Sequence, residues 1–256
     1  MASFPFIDDI PAVLDTTGWN WERLAAPHAC SHDFWVGFDR EGNRWLTKLR
    51  GAFYAYREIA FARLAQRMGW SCQSSSFLHL DRQSAKELGV STSEAHAAHW
   101  FMNEHAQSAC SPECQFSFLL NRSVETVDDL CGSEIEHLLD WPKSDFAACL
   151  FGANEPPGRL ITIDHELVII DSEQMFATGP CTLDGTAWWN RPDGSPSPTG
   201  RTLALEVCRN LCGLSAADVE DALTVPKGVS VHKKWPIAPK LKMSRKFAAE
   251  FCASYE

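Results

Sequence analysis

The stretch FWVGFDREGNRWLTKLRGAFYAYREIAFARLAQRMG, residues 34 to 69, holds the pattern on which the fold of this chain depends. Its first half predicts two strands, FWVGFD and RWLTKL, joined by the turn REGN, where glycine stands at the position a hairpin needs. Its second half predicts a helix over residues 53–68, with Gly69 just past its end. Lys48 therefore ends a strand, and Glu58 lies in the helix that follows. The apolar face of that helix is predicted to hold Phe53, Tyr56, Ala60, Leu64 and Met68.

Outward from this stretch, the first part of the chain is β-rich and the remainder is mainly helical. Residues 1–20 predict a leading segment with a short helix and then a turn, and residues 81–99 predict a short helix plus a loop. Further strands are predicted at 21–27, 75–80 and 116–120, a hairpin from LITID and LVIID at 160–171, and helices at 124–139, 144–152, 202–213, 215–223 and 244–255. We therefore predict an α+β fold with a β-rich lobe, residues 1–103, and a mainly helical lobe containing the hairpin, residues 104–256.

The composition is that of an ordinary folded protein and argues against several classes of function. Of the 256 residues, 45% are hydrophobic and 22% are charged, and the formal net charge is −10. Broad nucleic-acid binding needs a basic footprint, so we expect no nucleic-acid partner, although residues 232–246 hold six Lys or Arg. The first residues carry acids where a secretory leader would carry bases, and no apolar run reaches membrane-spanning length. A cytoplasmic protein with no membrane partner is expected.

Lys48, Glu58 and Asp171 occur in the order that a phosphoryl-transfer site needs. Such sites work mainly by positioning and by neutralising charge: a strand lysine contacts ATP phosphates, a helix glutamate holds the lysine, and a later carboxylate binds magnesium. The sequence therefore predicts ATP and Mg²⁺ as cofactors, with Lys48 as phosphate ligand and Asp171 as metal ligand. A structural alternative stays open, in which Lys48 is a solvated charge, Glu58 pairs with Arg57 or Arg63, and Asp171 caps a turn.

Three stretches of the chain resemble segments of the HipA-like kinase family. WLTKLRG, residues 45–51, resembles the family's strand that carries the lysine. REIAFARLAQRMGW, residues 57–70, is similar to its glutamate-bearing helix, with Glu58 at the expected place. The run from FAACLFG to DSEQMF, residues 146–176, resembles the family's catalytic segment, with Asp171 matching the metal-binding aspartate.

The resemblance extends over roughly residues 20–250, with Phe176 matching the family's closing aromatic residue. It implies a two-lobed protein-kinase-like fold that holds ATP between the lobes. In active members it also implies transfer of phosphate to a hydroxyl group of a protein substrate.

One loop departs from the family pattern. The family supplies an aspartate as base and, five residues later, an asparagine for the second magnesium, whereas this chain has NEPPGRL at residues 154–160. Glu155 is the candidate base, because a carboxylate is what the chemistry needs, and Arg159 stands where the asparagine should be. Arg159 is therefore expected to carry positive charge to the phosphates. It either replaces a metal ion in a kinase, or marks a nucleotide-binding pseudokinase that regulates a protein partner without turnover.

Three further residues are predicted to line the nucleotide. No G-x-G-x-x-G loop precedes the hairpin; HACSHD, residues 28–33, occupies that place, where backbone amides and Ser31 would cover phosphates. Met102 and Asn103 fall at the expected connection between the lobes.

A zinc site is a separate alternative. His99, His105, Cys110 and Cys114 follow the spacing H-x5-H-x4-C-x3-C, and imidazole and thiolate are good zinc ligands. This spacing is not one of the tight zinc-finger patterns and contains no C-x2-C, so a polar loop with two partly buried thiols is the ordinary interpretation.

Overall fold

The structure is a computed structural model of the chain. It describes residues 11–24, 34–49, 51–92, 96–100, 106–108, 140–155, 157–162, 167–183, 186, 189, 191, 193–229 and 237–255. Several predicted features lie outside these residues: the start of the leading segment, the strand at 116–120, the helix at 124–139, the hairpin turn at 163–166 and the lobe boundary near Asn103. No helix in the described ranges is long and apolar enough to cross a membrane.

A six-stranded sheet forms the first half of the chain. Its strands are β1 (Val13–Asp15), β2 (Asn20–Leu24), β3 (Phe34–Phe38), β4 (Arg44–Lys48), β5 (Ser75–His79) and β6 (His96–Trp100). They lie in the order β1-β5-β6-β4-β3-β2, with β1 parallel to β5 and every other pair antiparallel. The strand predicted at 21–27 and the predicted hairpin of FWVGFD and RWLTKL are confirmed as β2, β3 and β4, which form an antiparallel meander.

The turn between β3 and β4 fixes the register that carries Lys48. The Asp39 carboxylate accepts hydrogen bonds from the backbone N–H of Glu41 (3.0 Å) and Asn43 (2.8 Å) and from the indole N–H of Trp45 (3.0 Å). Turns closed in this way by an aspartate side chain determine which residues face one another across the two strands.

Two strands of this sheet were not predicted. The described part of residues 1–20 contains β1 rather than a helix, and β6 occupies the centre of the sheet where residues 81–99 predicted a loop after the short helix α2 (Arg82–Leu88). The sequence HAAHW lacks the β-branched residues that mark a strand. Its alanines are suited to this place because Ala97, with Phe77 of β5, packs directly beneath the helix that covers the sheet.

That covering helix, α1 (Ala52–Arg67), is buried on nearly all sides rather than on one face as predicted. Ala55 and Ile59 pack on the sheet, whereas Phe61 and Leu64 belong to the hydrophobic core of the mainly helical second half of the chain. The helix therefore lies between two hydrophobic cores and joins them. Gly69 follows it at φ 80°, in the left-handed conformation expected just past a helix end.

The second half contains four described helices and a small sheet. The helices are α3 (Asp140–Leu150), α4 (Pro198–Gly213), α5 (Ala216–Leu223) and α6 (Ile237–Ala253), and the strands are β7 (Ala106–Ser108), β8 (Gly158–Thr162) and β9 (Leu167–Ile170). The predicted hairpin is confirmed as the antiparallel pair β8–β9, and the capping box at Ser215 is present. The predicted start of α3 was wrong: the helix includes Asp140, and Ser144, instead of capping it, donates a hydrogen bond to the Trp141 carbonyl (2.7 Å).

Backbone hydrogen bonds tie the hairpin to the first half. The N–H of Ile169 donates to the Ser71 carbonyl (2.9 Å), and the N–H of Gln73 donates to the Ile169 carbonyl (2.8 Å). Strand β9 is therefore attached to the segment between α1 and β5. Because Asp171 is the first residue after β9, this attachment also fixes the position of Asp171 relative to α1.

Replacing Gly152 with Ala should lower the free energy of unfolding by about 2 kcal/mol, because φ is +63° there and an added Cβ has no room. That Cβ would lie 2.5 Å from the Thr178 carbonyl oxygen and 2.6 Å from that of Gly179. Gly213→Ala is the matched control, since nothing lies within 4 Å of a Cβ at that position. Urea unfolding measures both variants, and equal losses of stability would contradict this packing.

Candidate functional site

Lys48 lies at the end of β4, between Phe34 of β3 and Ala97 of β6. Only 9% of its side chain is exposed, and its ammonium group lies between two carboxylates. The distance from Nζ to Oε1 of Glu58 is 2.8 Å, and that to Oδ1 of Asp171 is 2.7 Å. The structure thus brings Lys48 together with Glu58, which is 10 positions further along the chain, and with Asp171, which is 123 positions further.

The pKa of Lys48 lies above its ordinary value. Burial alone would lower it, but the charges and hydrogen bonds of Glu58 and Asp171 outweigh that effect. Lys48 is therefore a cation at neutral pH, as a phosphate ligand must be.

Glu58 is buried on the face of α1 that meets the sheet. Burial would raise its pKa, yet His99 and Lys48 together hold the pKa well below its usual range. Its second oxygen, Oε2, lies 3.2 Å from Nε2 of His99, although the N–H is less well aligned than in an ideal hydrogen bond. Glu58 is thus an ionised carboxylate with a partner near each oxygen.

Helix α1, which carries Glu58, is held from its opposite side by α5 and the residue after it. The Tyr56 hydroxyl donates to the Leu223 carbonyl (2.9 Å), and Arg63 donates to the Thr224 carbonyl (3.0 Å). Arg67 forms an ion pair with Asp221. These contacts fix the helix between the sheet and the helical half, so Glu58 has little freedom to leave Lys48.

Asp171 occupies a position of unusual backbone geometry. Its φ is +52°, in the left-handed region that few residues other than glycine adopt, and 55% of its side chain is exposed. Gly158 of β8 faces it closely: a Cβ at that position would lie 3.1 Å from the Asp171 Cβ. A carboxylate exposed in this way at a strand end can bind a cation that arrives from solvent.

The segment after Asp171 is anchored by two cations. Arg57 of α1 donates to the Met175 carbonyl (2.5 Å), and Lys240 of α6 donates to the carbonyls of Phe176 and Ala177 (2.6 Å each). Phe176 also has a left-handed φ of 60°, and its ring packs edge-on against Phe151 at 5.4 Å between ring centres. The conformation of residues 171–177 is therefore set by α1 and α6 together.

A metal ion at Asp171 would need ligands besides protein side chains. Among the described residues, no group of three or more His, Cys, Asp or Glu is arranged to hold a metal ion. Mg²⁺ is commonly bound by one or two carboxylates together with waters and substrate phosphates. The single exposed carboxylate of Asp171 beside the cationic Lys48 fits that mode of binding.

Arg159 does not lie as the sequence predicted. It is buried, and its Nε donates to the Ser144 hydroxyl (2.6 Å), while its guanidinium pairs with Asp145 and lies 5.3 Å above the Trp141 ring centre. These contacts attach β8 to α3. Burial lowers the pKa of Arg159 and Asp145 opposes that effect, as in a buried structural ion pair. Glu155, the candidate base, is exposed in the loop before β8.

Other predicted site residues lie outside the described residues, namely Ser31, Met102 and Asn103, as do three of the four candidate zinc ligands, His105, Cys110 and Cys114. The fourth, His99, is buried in the sheet with Nδ1 2.6 Å from the Ser75 hydroxyl and Nε2 beside Glu58. Zinc at His99 would therefore have to displace Ser75 or Glu58 from a ring nitrogen.

Sequence reasoning missed four residues of this site: Arg57, His99 as a partner of Glu58, Gly158 and Lys240. Only Arg57 had a usable signal, since it adjoins Glu58 in a helix with few other charges. The other contacts join elements far apart in sequence, and no local pattern encodes them.

Comparison with known proteins bears on the fold. No family model matches the chain, and no curated protein matches its sequence. Among solved structures, it is similar to the crystal structure of a proinflammatory kinase from Helicobacter pylori, CtkA, with a TM-score of 0.56 and 9% sequence identity. The match covers 93% of this chain and 98% of that chain. The predicted α+β, two-lobed protein-kinase-like fold is thereby confirmed.

Proposed function

We propose that this chain is a HipA-like, ATP-dependent kinase that transfers phosphate to a hydroxyl group of a protein substrate. The observation that carries the proposal is the position of the Lys48 ammonium, 2.8 Å from Glu58 and 2.7 Å from Asp171. In a kinase-like fold, this pair of groups suits Mg-ATP, because the lysine can contact the phosphates and the carboxylate of Asp171 can bind the metal ion.

Each of the three residues has a separate task in this proposal. Lys48 holds the phosphates through charge-assisted hydrogen bonds. Glu58, which is buried and ionised, holds the lysine in place for the phosphates. Asp171 would hold Mg²⁺, and the bound ion would offset the charge of the phosphate oxygens during transfer.

Nucleotide binding requires the Lys48–Asp171 ion pair to rearrange. Asp171 is more than half exposed, whereas Glu58 is buried, so the contact with Asp171 is the weaker of the two. We propose that Lys48 exchanges Asp171 for phosphate and keeps Glu58. Lys48, Glu58 and Asp171 together carry a net charge of −1 when His99 is neutral, and a bound divalent cation would offset this charge.

Glu155 is the proposed general base. It would accept the proton of the substrate hydroxyl as that oxygen attacks the terminal phosphate. Its exposure leaves it open to a protein substrate.

A nucleotide-binding pseudokinase is the second candidate, and the loop before β8 favours it. Gly158, which lies against Asp171, has no side chain to offer a second metal ion, and the Arg159 guanidinium is bound to Ser144 and Asp145. In that case the chain would bind Mg-ATP without turnover and act on a regulatory protein partner.

Calorimetry tests the claim that both candidate functions share, namely that the chain binds Mg-ATP with Asp171 as metal ligand. The informative variant is Asp171→Asn. Wild type should bind, removal of Mg²⁺ with EDTA should weaken binding about tenfold or more, and Asp171→Asn should lose that metal dependence. Asp193→Asn, an exposed turn aspartate bonded to Ser195, is the matched control. Metal dependence that survives in Asp171→Asn would contradict the assignment.

Turnover separates the two candidates. Purified protein incubated with ATP radiolabelled in its terminal phosphate should label itself or a protein of a cell lysate if it is a kinase. Binding without labelling would favour the pseudokinase, and absence of both would contradict the proposed function.

A further inference from the structure

We propose that His99 is a positioning residue for Glu58, holding its carboxylate to the sheet while Lys48 turns to the nucleotide. The inference rests on the proposed function of Lys48. It concerns, however, a contact between α1 and β6 that can be measured without any ligand.

His99 is buried on an inner strand of the six-stranded sheet. It lies on β6 between Leu46 of β4 and Ser75 of β5, and 1% of its surface is exposed. Lys48 is two residues from Leu46 along the neighbouring strand. The imidazole is therefore fixed by the sheet, and it lies beside Oε2 of Glu58, the oxygen that Lys48 does not contact.

Glu58 needs this second partner for an electrostatic reason. An ionised carboxylate loses its hydration when it is buried, and each oxygen that lacks a donor adds to the cost. Lys48 serves only Oε1 and shares its charge with Asp171. When Lys48 contacts phosphates, part of its attraction for Glu58 is diverted, and His99 at Oε2 remains as the constant partner.

Glu58 determines which nitrogen of His99 carries the proton. An ionised carboxylate only accepts hydrogen bonds, so Nε2, which lies 3.2 Å from Oε2 of Glu58, carries the proton. In a neutral imidazole Nδ1 then has a lone pair, and the Ser75 hydroxyl, 2.6 Å from Nδ1 and 3.2 Å from the Gln73 carbonyl, is placed to donate to it.

The test compares two amides of different length at position 99. In His99→Gln the side chain can still place an N–H donor near Oε2, whereas in His99→Asn it is too short to do so. His99→Asn should weaken Mg-ATP binding about tenfold, as expected when a buried carboxylate loses a polar neighbour, and His99→Gln should bind close to wild type. His96→Asn is the control, because His96 is equally buried on the same strand but accepts from the Gly51 N–H (3.4 Å).

Affinity for Mg-ATP, measured by calorimetry, is the readout that a merely structural histidine would not change. His96→Asn should lower stability in urea without changing the affinity of the folded protein. Equal affinities for His99→Asn and wild type would overturn the inference, and so would equal losses of affinity in the Asn and Gln variants.

A double-mutant cycle separates this inference from the proposed function. His99→Asn should destabilise the protein less in a Glu58→Gln background than in wild type, because the neutral amide needs no charged partner. Strong coupling in a protein that does not bind ATP would support the positioning contact and contradict the proposed function. Additive effects would overturn the contact. If the single variant His99→Asn does not fold, the double variant His99→Asn with Glu58→Gln should fold. Failure of both variants to fold would also overturn the contact between His99 and Glu58.

Discussion

Replacing Lys48 with Met is expected to weaken Mg-ATP binding about a hundredfold, which corresponds to about 3 kcal/mol. The ammonium group is the cation that the two acids hold in place at the end of β4, and methionine keeps the length of the side chain without its charge. Calorimetry on the folded variant measures the effect.

Lys246→Met is the matched control, because Lys246 is 77% exposed and only forms a helix-surface pair with Glu250. Its affinity for Mg-ATP should equal that of wild type. Lys48→Met should also lower stability, since it removes a cation from between two carboxylates, so circular dichroism must show that the variant is folded before affinity is compared. An affinity close to wild type in folded Lys48→Met would contradict the phosphate-binding role.

Replacing Arg159 with Met is expected to lower the free energy of unfolding by about 3 to 5 kcal/mol, without changing the Mg-ATP affinity of the protein that remains folded. The guanidinium joins β8 to α3 through Asp145 and Ser144, and its loss removes an ion-pair partner of a partly buried carboxylate. Urea unfolding gives the stability, and calorimetry at low temperature gives the affinity.

The double variant Arg159→Met with Asp145→Leu provides the control for this ion pair. Replacing both charges by apolar groups should recover most of the stability, because no unpaired charge is left buried. A large loss of affinity in Arg159→Met with little loss of stability would contradict the structural role. It would restore the expectation, made from the sequence, that Arg159 contacts phosphates.

Local patterns predicted much of the framework. The β3–β4 hairpin, helix α1, the β8–β9 hairpin and the capping box of α5 each have a signal within a few residues: turn glycine, helical spacing, alternation or a cap. The ordered triad Lys48, Glu58 and Asp171 could be singled out for the same reason, since each residue follows or lies within a recognisable element.

The parts that could not be predicted depend on contacts between distant segments. Strand β6 has weak strand propensity and exists because β4 and β5 pair with it on both sides. Helix α1 was expected to have a solvent face, but the helical half covers that face. Arg159 was assigned by alignment to the nucleotide, and only the packing of β8 on α3 shows that its partner is Asp145. His99 was considered only as a candidate zinc ligand, because no local pattern indicates that Glu58 lies beside it.

A crystal structure with Mg²⁺ and a non-hydrolysable ATP analogue tests the central claim most directly. We predict that Lys48 Nζ contacts the phosphates while keeping its bond to Glu58, and that an Asp171 oxygen binds the magnesium ion. A structure at saturating nucleotide in which Lys48 still bridges Glu58 and Asp171, with the analogue bound elsewhere or not at all, would contradict the account.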